Sequence, residues 1–254
     1  MTLPVLILAG SRDGARDPLA LHGKVAHKAL LPVGGQPMLA RVLATLEATQ
    51  GLGPFYVSIE DPQAVAPLLG EAKVLPTASG PSGSVALALE SLGTPLLMTT
   101  ADHPLLRSAW IHEFLEAATN AQGTHSCDLA VGVASRTVIE RDVPGTKRTY
   151  IHLRDLTFSG CNLFWFGTPR AAEVVRLWRN LERNRKRPWR MAATLGYGTL
   201  FRALTGRLTS DSLCKRIRQL TGARVRLIPL SDGRAAVDVD KPSDLALAEK
   251  LLAS

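Results

Sequence analysis

The sequence predicts an α/β protein built on a doubly wound, mostly parallel β-sheet. Two observations support this prediction. In the first half of the 254-residue chain, short apolar runs alternate with stretches of helical periodicity, the pattern of repeated strand–helix units. Hydrophobic residues make up 46% and charged residues 20% of the chain, which provides a sizeable core and argues against disorder.

The elements of the first half follow from hydrophobic spacing. Leu3–Leu8 is a continuous apolar run and is predicted as a buried strand. A helix is predicted over Gln36–Thr49, because its large apolar residues recur on one face. Further strands are predicted at Phe55–Ile59, Lys73–Leu75 and Pro95–Thr99, and further helices at Ser84–Leu92 and Leu106–Ala118.

The second half of the chain has a less regular pattern. The predicted strands are Leu129–Ala134, Arg148–Leu153, Asn162–Phe166, Val225–Pro229 and Ala236–Val239. The predicted helices run from Arg170 to Leu181, from Pro188 to Ala203, from the N-cap Asp211 to Leu220, and from Pro242 to Leu252.

Several classes of protein are excluded by simple features of the chain. No apolar run reaches the ~18 residues that a membrane span needs, and Leu3–Gly10 is too short and lacks a preceding basic region for a signal peptide. Cys127, Cys161 and Cys214 form neither a close pair nor a metal-ligand spacing. We therefore expect no disulfide framework and no zinc site, and a cytoplasmic location.

The formal net charge of +8 is concentrated in one segment. Between Arg170 and Arg226 there are 15 Lys/Arg and 3 Asp/Glu, so this segment is predicted to be a basic, mostly helical insertion within a single domain over residues 1–254. It is either a solvated helical face or a contact for an anionic partner, a phosphorylated substrate or a membrane surface. Within it, Met191–Leu208 is either an amphipathic helix on an anionic membrane or an ordinary packed helix. No nucleic-acid-binding motif is present, so nucleic acid is not expected.

A glycine-containing loop follows the first strand directly. It reads Leu8-Ala9-Gly10-Ser11-Arg12-Asp13-Gly14. In open α/β sheets, ligands bind at the carboxyl ends of the strands, and glycines let backbone N–H groups approach a phosphate. The pattern is neither a dinucleotide fingerprint nor a P-loop, and alone it is equally compatible with a structural turn.

A second motif downstream makes the first one specific. Lys28 precedes an apolar run that ends in Gly35-Gln36-Pro37. Together the two motifs resemble the signature of the nucleotidyltransferases that include the sugar-nucleotide pyrophosphorylases and the molybdenum cofactor guanylyltransferases. The resemblance implies a Rossmann-like nucleotidyltransferase fold. The positions that it assigns to nucleotide binding are Leu8, Ala9, Gly10, Ser11 and Gly14, and those that it assigns to catalytic charge are Arg12 and Lys28.

The loop Ala78–Ser84 resembles the segment of this family that holds the nucleotide base. The residues implied in base binding are Ser79, Gly80 and Gly83, and a glycine-rich backbone can approach a flat base without side-chain collision. The alternative is a flexible turn that begins a helix.

Three aspartates match the metal-binding motifs of the family. Asp102 and Pro104 match its Asp-x-Pro motif, and Asp238-Val239-Asp240 precedes Pro242 as in its second acidic motif. The resemblance implies Mg²⁺ held by Asp102 and Asp240, with Asp238 as a neighbouring ligand. Carboxylates with phosphate oxygens and water suit Mg²⁺. The alternative is that these aspartates cap helices.

The strand around Gly160-Cys161-Asn162 resembles the part of the family that faces the acceptor. Asn162 both donates and accepts hydrogen bonds, and Arg148 and Arg154 flank the strand as candidates to clamp an anionic acceptor. A capped strand end explains Asn162 as well.

The resemblance implies Mg²⁺-dependent transfer of an NMP group from an NTP to a phosphorylated acceptor, with release of pyrophosphate. The acceptor is a phosphorylated sugar, polyol or similar compound, or a molybdopterin with GTP. A catalytically silent nucleotide-binding regulator is the alternative of another class. The base, the acceptor and the oligomeric state stay open at this point.

Overall fold

A computed structural model describes residues 2–11, 16–119, 127–184 and 187–253. The strands within these residues are β1 Leu3–Leu8, β2 Pro32–Val33, β3 Gln36–Pro37, β4 Leu52–Ser58, β5 Lys73–Leu75, β6 Leu96–Thr100, β7 Leu129–Ser135, β8 Ile151–His152, β9 Thr157–Phe166 and β10 Val225–Pro229.

The helices are of mixed length, and short 3₁₀ turns lie between some of them. The α-helices are α1 Pro18–His22, α2 Met38–Glu47, α3 Pro62–Val65, α4 Pro81–Leu92, α5 Ser108–Thr119, α6 Arg136–Asp142, α7 Ala171–Arg183, α8 Pro188–Leu195, α9 Tyr197–Leu204, α10 Ser210–Thr221 and α11 Pro242–Ala253. The 3₁₀ turns are Lys28–Leu30, Ala66–Leu68 and Gly233–Ala236.

The main sheet is mixed but mostly parallel. Its order is β10–β7–β9–β6–β1–β4–β5, and β8 pairs with β9 outside this path. The pairs β10–β7, β6–β1, β1–β4 and β4–β5 are parallel, whereas β9 runs antiparallel to β7, β6 and β8. The predicted fold class is therefore confirmed, and the carboxyl ends of the parallel strands lie at one edge of the sheet.

Helices cover both faces of the sheet, which makes the fold doubly wound. Along β1, Val5 and Ile7 lie in one core while Leu6 lies in the other, because successive side chains of a strand point to opposite faces. The first core contains the apolar faces of α2 and α5. The second contains those of α4 and α7.

One predicted strand is wrong. Instead of a strand over Ala236–Val239, the chain forms the 3₁₀ turn Gly233–Ala236, capped by the Asp232 carboxylate on the Arg234 N–H, and then an extended stretch outside the sheet. Ala235 and Ala236 are fully buried in the first core, so the apolar character of this segment reflects packing and not sheet pairing.

Smaller differences concern the ends of elements. The predicted helix from Pro188 is interrupted at Gly196, whose φ of 90° separates α8 from α9. Thr209 caps α10 in place of Asp211, because its hydroxyl accepts from the Ser212 N–H. The predicted strand Arg148–Leu153 is reduced to β8, and β9 begins before Asn162, at Thr157.

The basic segment is built from two kinds of helix. The buried residues of α7 lie in the second core with α4, and Ile217 of α10 packs against the same core. In contrast, α8 and α9 have no buried residue among those described. In the described parts of the chain, no helix combines the length and hydrophobicity that crossing a membrane requires.

Candidate active site

A cavity of about 580 Å³ opens at the carboxyl edge of the parallel strands. The ends of β1, β4 and β6 contribute Leu8, Ser58 and Thr100 to its wall. This volume is in the range of small-molecule sites. The predicted site residues that line it are Leu8, Gly10, Ser11, Lys28, Gly80, Asp102, Asn162, Asp238 and Asp240.

Lys28 joins the two acidic motifs at the floor of this cavity. Its Nζ lies 2.9 Å from Oδ2 of Asp102 and 2.7 Å from Oδ1 of Asp240. Asp102 follows β6 by two residues, whereas Asp240 precedes α11. The N–H of Val239 donates to the carbonyl of Asp102 at 2.9 Å, so a backbone bond fixes the second motif beside the first.

The three charges are strongly coupled. Burial alone would lower the pKa of the Lys28 ammonium, but Asp102 and Asp240 outweigh that effect and raise this pKa above its usual value. Burial raises the pKa of Asp102, and the Lys28 charge opposes the rise. Lys28 is therefore a fixed positive charge at neutral pH, held between two carboxylates.

The donor set suits a hard divalent cation. Oδ1 of Asp102 and the hydroxyl of Thr100 are both buried, and apart from each other they have no hydrogen-bond partner among the described residues. This oxygen of Asp102 and the largely exposed carboxylate of Asp240 are the oxygen ligands that Mg²⁺ prefers. No group of three or more His, Cys, Asp or Glu side chains arranged for a metal occurs in the described ranges.

Asp238 is held by a separate set of contacts. Its Oδ1 pairs with the Arg148 guanidinium, and its Oδ2 accepts from Nδ2 of Asn162 at 3.3 Å. The Arg148 side chain is only 9% exposed and also lies 3.9 Å from Asp244. A buried guanidinium is costly unless carboxylates pair with it, and Asp238 and Asp244 are the carboxylates that allow Arg148 to be buried.

The predicted clamp of Arg148 and Arg154 is not assembled. Neither residue lines the cavity, and Arg154 is exposed, with its backbone N–H bonded to the carbonyl of Leu208 at 2.8 Å. Asn162 does line the cavity, in a left-handed conformation with φ of 49°. Of the three predicted acceptor residues, one therefore faces the cavity directly.

The loop after β1 binds a carboxylate that the sequence did not predict there, that of Glu60, which follows β4. The Ser11 N–H donates to both oxygens of Glu60, at 3.0 and 3.1 Å, and Nε2 of His27 lies 3.1 Å from the same group. Nδ1 of His27 accepts from the Ala29 N–H, so Nε2 carries the proton.

The other predicted residues of this loop are placed as follows. Ala9 is buried beneath the loop, and Arg12 and Gly14 lie outside the described residues.

The loop Ala78–Ser84 forms another wall of the cavity. Gly80 has a φ of 92° at the N-terminus of α4, and Gly83 packs so closely on Ala78 that a Cβ would come within 2.8 Å of its methyl group. Ser79 and Gly83 do not line the cavity. The Ser82 hydroxyl and N–H both donate to the Glu182 carboxylate of α7, which therefore covers the start of α4.

Sequence reasoning missed several residues of this site, among them Glu60, Trp178 and Phe164. Glu60 follows the predicted strand Phe55–Ile59 directly, so the carboxyl-edge argument used for Asp102 could have found it. Trp178 and Phe164 line the cavity as a stacked pair with ring centroids 6.4 Å apart and planes 8° apart. Trp178 lies in the basic segment, on helix α7. Its position in the helical repeat is the same as that of a core residue, so the sequence did not identify it as a cavity residue.

The topology and the site together define a class: a Rossmann-like α/β protein with a polar cavity at the carboxyl edge of its parallel strands. Within that class, the model of the MobA-like NTP transferase domain matches residues 5–224. The chain belongs to this family and is a nucleotidyltransferase. The family resemblance predicted from the sequence is therefore confirmed.

Solved structures agree with this assignment. The chain is similar to a structure described as a hypothetical transferase from Thermus thermophilus, at 30% identity and a TM-score of 0.81, over 96% of this chain and 100% of that one. The same fold occurs in CMP:2-keto-3-deoxy-manno-octonic acid synthetase complexed with CTP, at 14% identity and a TM-score of 0.61 over 99% of each chain. It occurs again in 2-C-methyl-D-erythritol 4-phosphate cytidylyltransferase from Thermus thermophilus, at 20% identity and a TM-score of 0.55 over 100% of each chain. The comparison with curated proteins gave no match.

Proposed function

We propose that this protein transfers the NMP group of an NTP to the phosphate of a small acceptor, a sugar, a polyol or a similar compound, and releases pyrophosphate. The observation that carries the proposal is the grouping of Asp102, Lys28 and Asp240 at the carboxyl edge of the sheet. The cytidylyltransferase in the comparison is named for a phosphorylated polyol, and the synthetase is complexed with CTP. The first name supports a phosphorylated polyol as the acceptor, and the second supports an NTP as the donor.

The chemistry requires no general base from the protein. A phosphate monoester has a second pKa of ~6 and is largely ionised at neutral pH, so its oxygen is already a nucleophile. That oxygen forms a bond to the α-phosphorus of the NTP as the bond from the α-phosphorus to the leaving pyrophosphate oxygen breaks. Catalysis then depends on positioning and on stabilising negative charge.

Different parts of the cavity are proposed to neutralise the phosphate charge and to position the nucleotide. Lys28 places a permanent positive charge where the phosphates of the NTP meet the acceptor, and Asp102 and Asp240 fix its position. Asp102 and Asp240 would also hold Mg²⁺, which, when bound, neutralises phosphate charge. The loop Gly10–Ser11 would receive phosphate oxygens on backbone N–H groups, and the Gly80 loop would contact the base.

Asn162 is proposed to contact the acceptor. Its side chain lines the cavity and is oriented by the Asp238 carboxylate, which Arg148 holds in turn. Arg148 is thus proposed as a positioning residue and not as a direct clamp. Arg12 remains proposed as a second positive charge toward the triphosphate, and Asp238 as a neighbour of the metal ligands.

The family match also favours a second candidate, transfer of GMP from GTP to molybdopterin, because the matching model is the MobA-like one. One experiment separates the candidates. Each of the four NTPs is incubated with Mg²⁺ and a panel of sugar phosphates, polyol phosphates and molybdopterin, and pyrophosphate release is measured. Release with a phosphorylated sugar or polyol supports the first proposal, and release with GTP and molybdopterin only supports the second.

A second measurement, combined with the pyrophosphate assay, tests the silent-regulator alternative. The thermal stability of the protein is measured with each NTP and Mg²⁺, because a ligand that binds the native state raises the melting temperature. Stabilisation by an NTP, without release of pyrophosphate from that NTP in the presence of any acceptor, would contradict both enzymatic proposals.

A further inference from the structure

The helices α8 and α9 expose large apolar side chains. Trp189, Tyr197, Phe201 and Leu204 have exposed fractions of 64, 72, 60 and 78%. Tyr197, Phe201 and Leu204 follow one another at intervals of four and three residues and so lie on one face of α9. Three large exposed apolar side chains on one face of a helix mark an interaction surface, whereas isolated exposed apolar residues need no explanation.

The charged residues in the sequence of this pair of helices and its flanks have a single sign. Between Arg183 and Leu208 the sequence contains seven Lys/Arg and no Asp/Glu. Those of the seven that the structure describes, Arg183, Arg187, Arg190, Arg202 and Arg207, are all exposed. An anionic partner is therefore favoured over a neutral or cationic one.

Contacts at both ends of α9 hold this pair of helices on the body of the protein. Nε of Arg216 in α10 donates to the carbonyl of Leu195 at 2.7 Å, at the junction of α8 and α9. Leu208, which follows α9, is buried in a cluster with Val133, Leu153 and Phe158. The helices that carry the exposed apolar face are therefore attached to the folded body at Leu195 and Leu208.

We propose that the α8–α9 surface, comprising Trp189, Tyr197, Phe201, Leu204 and the surrounding arginines, docks on an anionic lipid bilayer. The aromatic and leucine side chains enter the interface between headgroups and acyl chains, and the arginines contact lipid phosphates. Tryptophan and tyrosine suit this depth because each has an apolar body and a polar tip.

Two other occupants fit the surface less well. A second copy of the chain would bring two sets of arginines together without an acidic residue in the segment to offset them. A single-stranded nucleic acid would stack on aromatic faces, but Leu204, the most exposed of the four, offers no stacking surface. A bilayer accommodates both the leucine and the arginines.

The test is sedimentation of the full chain with vesicles. The vesicles are pure phosphatidylcholine or phosphatidylcholine with about 30 mol% phosphatidylglycerol, at about 50 mM and about 500 mM NaCl. We expect binding to the anionic vesicles at low salt, weaker binding at high salt, and none to neutral vesicles. The F201S/L204S variant should lose binding, and R202Q/R207Q should reduce the partition coefficient about 25-fold, since each interfacial arginine contributes about fivefold.

Matched control variants test whether binding depends on this surface or only on the total number of exposed apolar and basic residues. Ile151→Ser removes an exposed apolar residue elsewhere, and R136Q/R141Q removes two exposed arginines outside the surface. Both should bind vesicles as the wild type does. Circular dichroism and thermal unfolding verify that every variant is folded.

Three results would overturn the proposal. The first is no binding to anionic vesicles at low salt. The second is equal loss of binding in the control variants. The third is a concentration-dependent dimer, or binding to a single-stranded oligonucleotide, that F201S/L204S abolishes while vesicle binding is unchanged.

Discussion

The carboxylates of Asp102 and Asp240 meet on a single ammonium nitrogen, 2.9 and 2.7 Å from Nζ of Lys28. The contact joins the end of β6 to the start of α11 and closes the floor of the cavity. Because the lysine side chain is only 15% exposed, the three charges interact in a partly desolvated environment, where they are worth more than on an open surface. The arrangement fixes where an NTP would find its counter-charges.

Replacing Lys28 tests the importance of this charge. K28M removes the ammonium and leaves two carboxylates facing one another, so we expect kcat for pyrophosphate release to fall roughly 10²–10³-fold, as for the loss of one electrostatic contact to the transition state. Steady-state kinetics at saturating Mg²⁺ measure the effect. Lys73→Met removes an exposed lysine of β5 and should leave kcat unchanged. A K28M enzyme with wild-type kcat would remove Lys28 from the mechanism.

Glu60 places a negative charge on the backbone N–H group that is proposed to receive the triphosphate. E60Q preserves the shape and the acceptor oxygen but removes the charge, so we expect KM for the NTP to fall about fivefold, the effect of about 1 kcal/mol of partly screened repulsion. The matched control is D61N, at the adjacent exposed aspartate that caps α3. A higher KM in E60Q would show instead that Glu60 binds the nucleotide.

The pair Arg148–Asp238 is the main buried ion pair behind the acceptor side of the cavity. R148M leaves the Asp238 carboxylate without its charged partner, and we expect the free energy of unfolding to fall by about 3 kcal/mol. Urea denaturation measures this change. In R148M/D238N the unpaired charge is gone, so part of the loss should be recovered. A double variant as unstable as the sum of the two single variants would contradict this account of the pair.

Asp142 connects α6 to the turn that leads to the second acidic motif. Its hydrogen bond with the exposed Arg141 is the main cause of a pKa lowered to about 2, and the N–H of Gly233 also donates to it at 2.7 Å. Because the folded-state pKa is lower than the ordinary one, this stabilisation is complete above pH 3.8 and is lost as the pH falls toward 2. Solvent screening limits its size to about 1 kcal/mol.

D142N should therefore be less stable than the wild type at pH 6, and the difference should shrink below pH 3.8 and be small at about pH 2. Urea denaturation across this pH range measures the difference. The control is E140Q on the same helix, whose carboxylate pairs with Arg136 at an exposed position. A difference between D142N and the wild type that does not vary with pH would assign the effect to packing and not to the charge.

The sequence predicted the fold well because the sheet is encoded in local hydrophobic spacing. The central strands β1, β4 and β6 each contain an apolar run and end at or next to polar site residues, and all were predicted within a few residues. The segment before Asp240 was different. It is equally apolar, but it fills a buried 3₁₀ turn, and only the tertiary bond from Val239 to Asp102 brings it to the cavity.

The side-chain partners within the site depend on tertiary contacts that no motif encodes. Arg148 was predicted to face an anionic acceptor, yet burial directs its guanidinium to Asp238. Glu60 and Glu182 bind backbone N–H groups of the two glycine-containing loops, and each comes from an element distant in sequence. Motif spacing finds the loops, but it does not find the carboxylates that cover them.

The central claim is that Asp102 and Asp240 act as one unit in NMP transfer. The most direct test is kcat for Mg²⁺-dependent pyrophosphate release by the wild type, D102N, D240N and D102N/D240N, with the NTP and acceptor on which the wild type is active. We predict that each single variant loses roughly 10²–10³ in kcat and that the double variant loses little more, because residues that act together are not additive. Wild-type kcat in either single variant would contradict the claim.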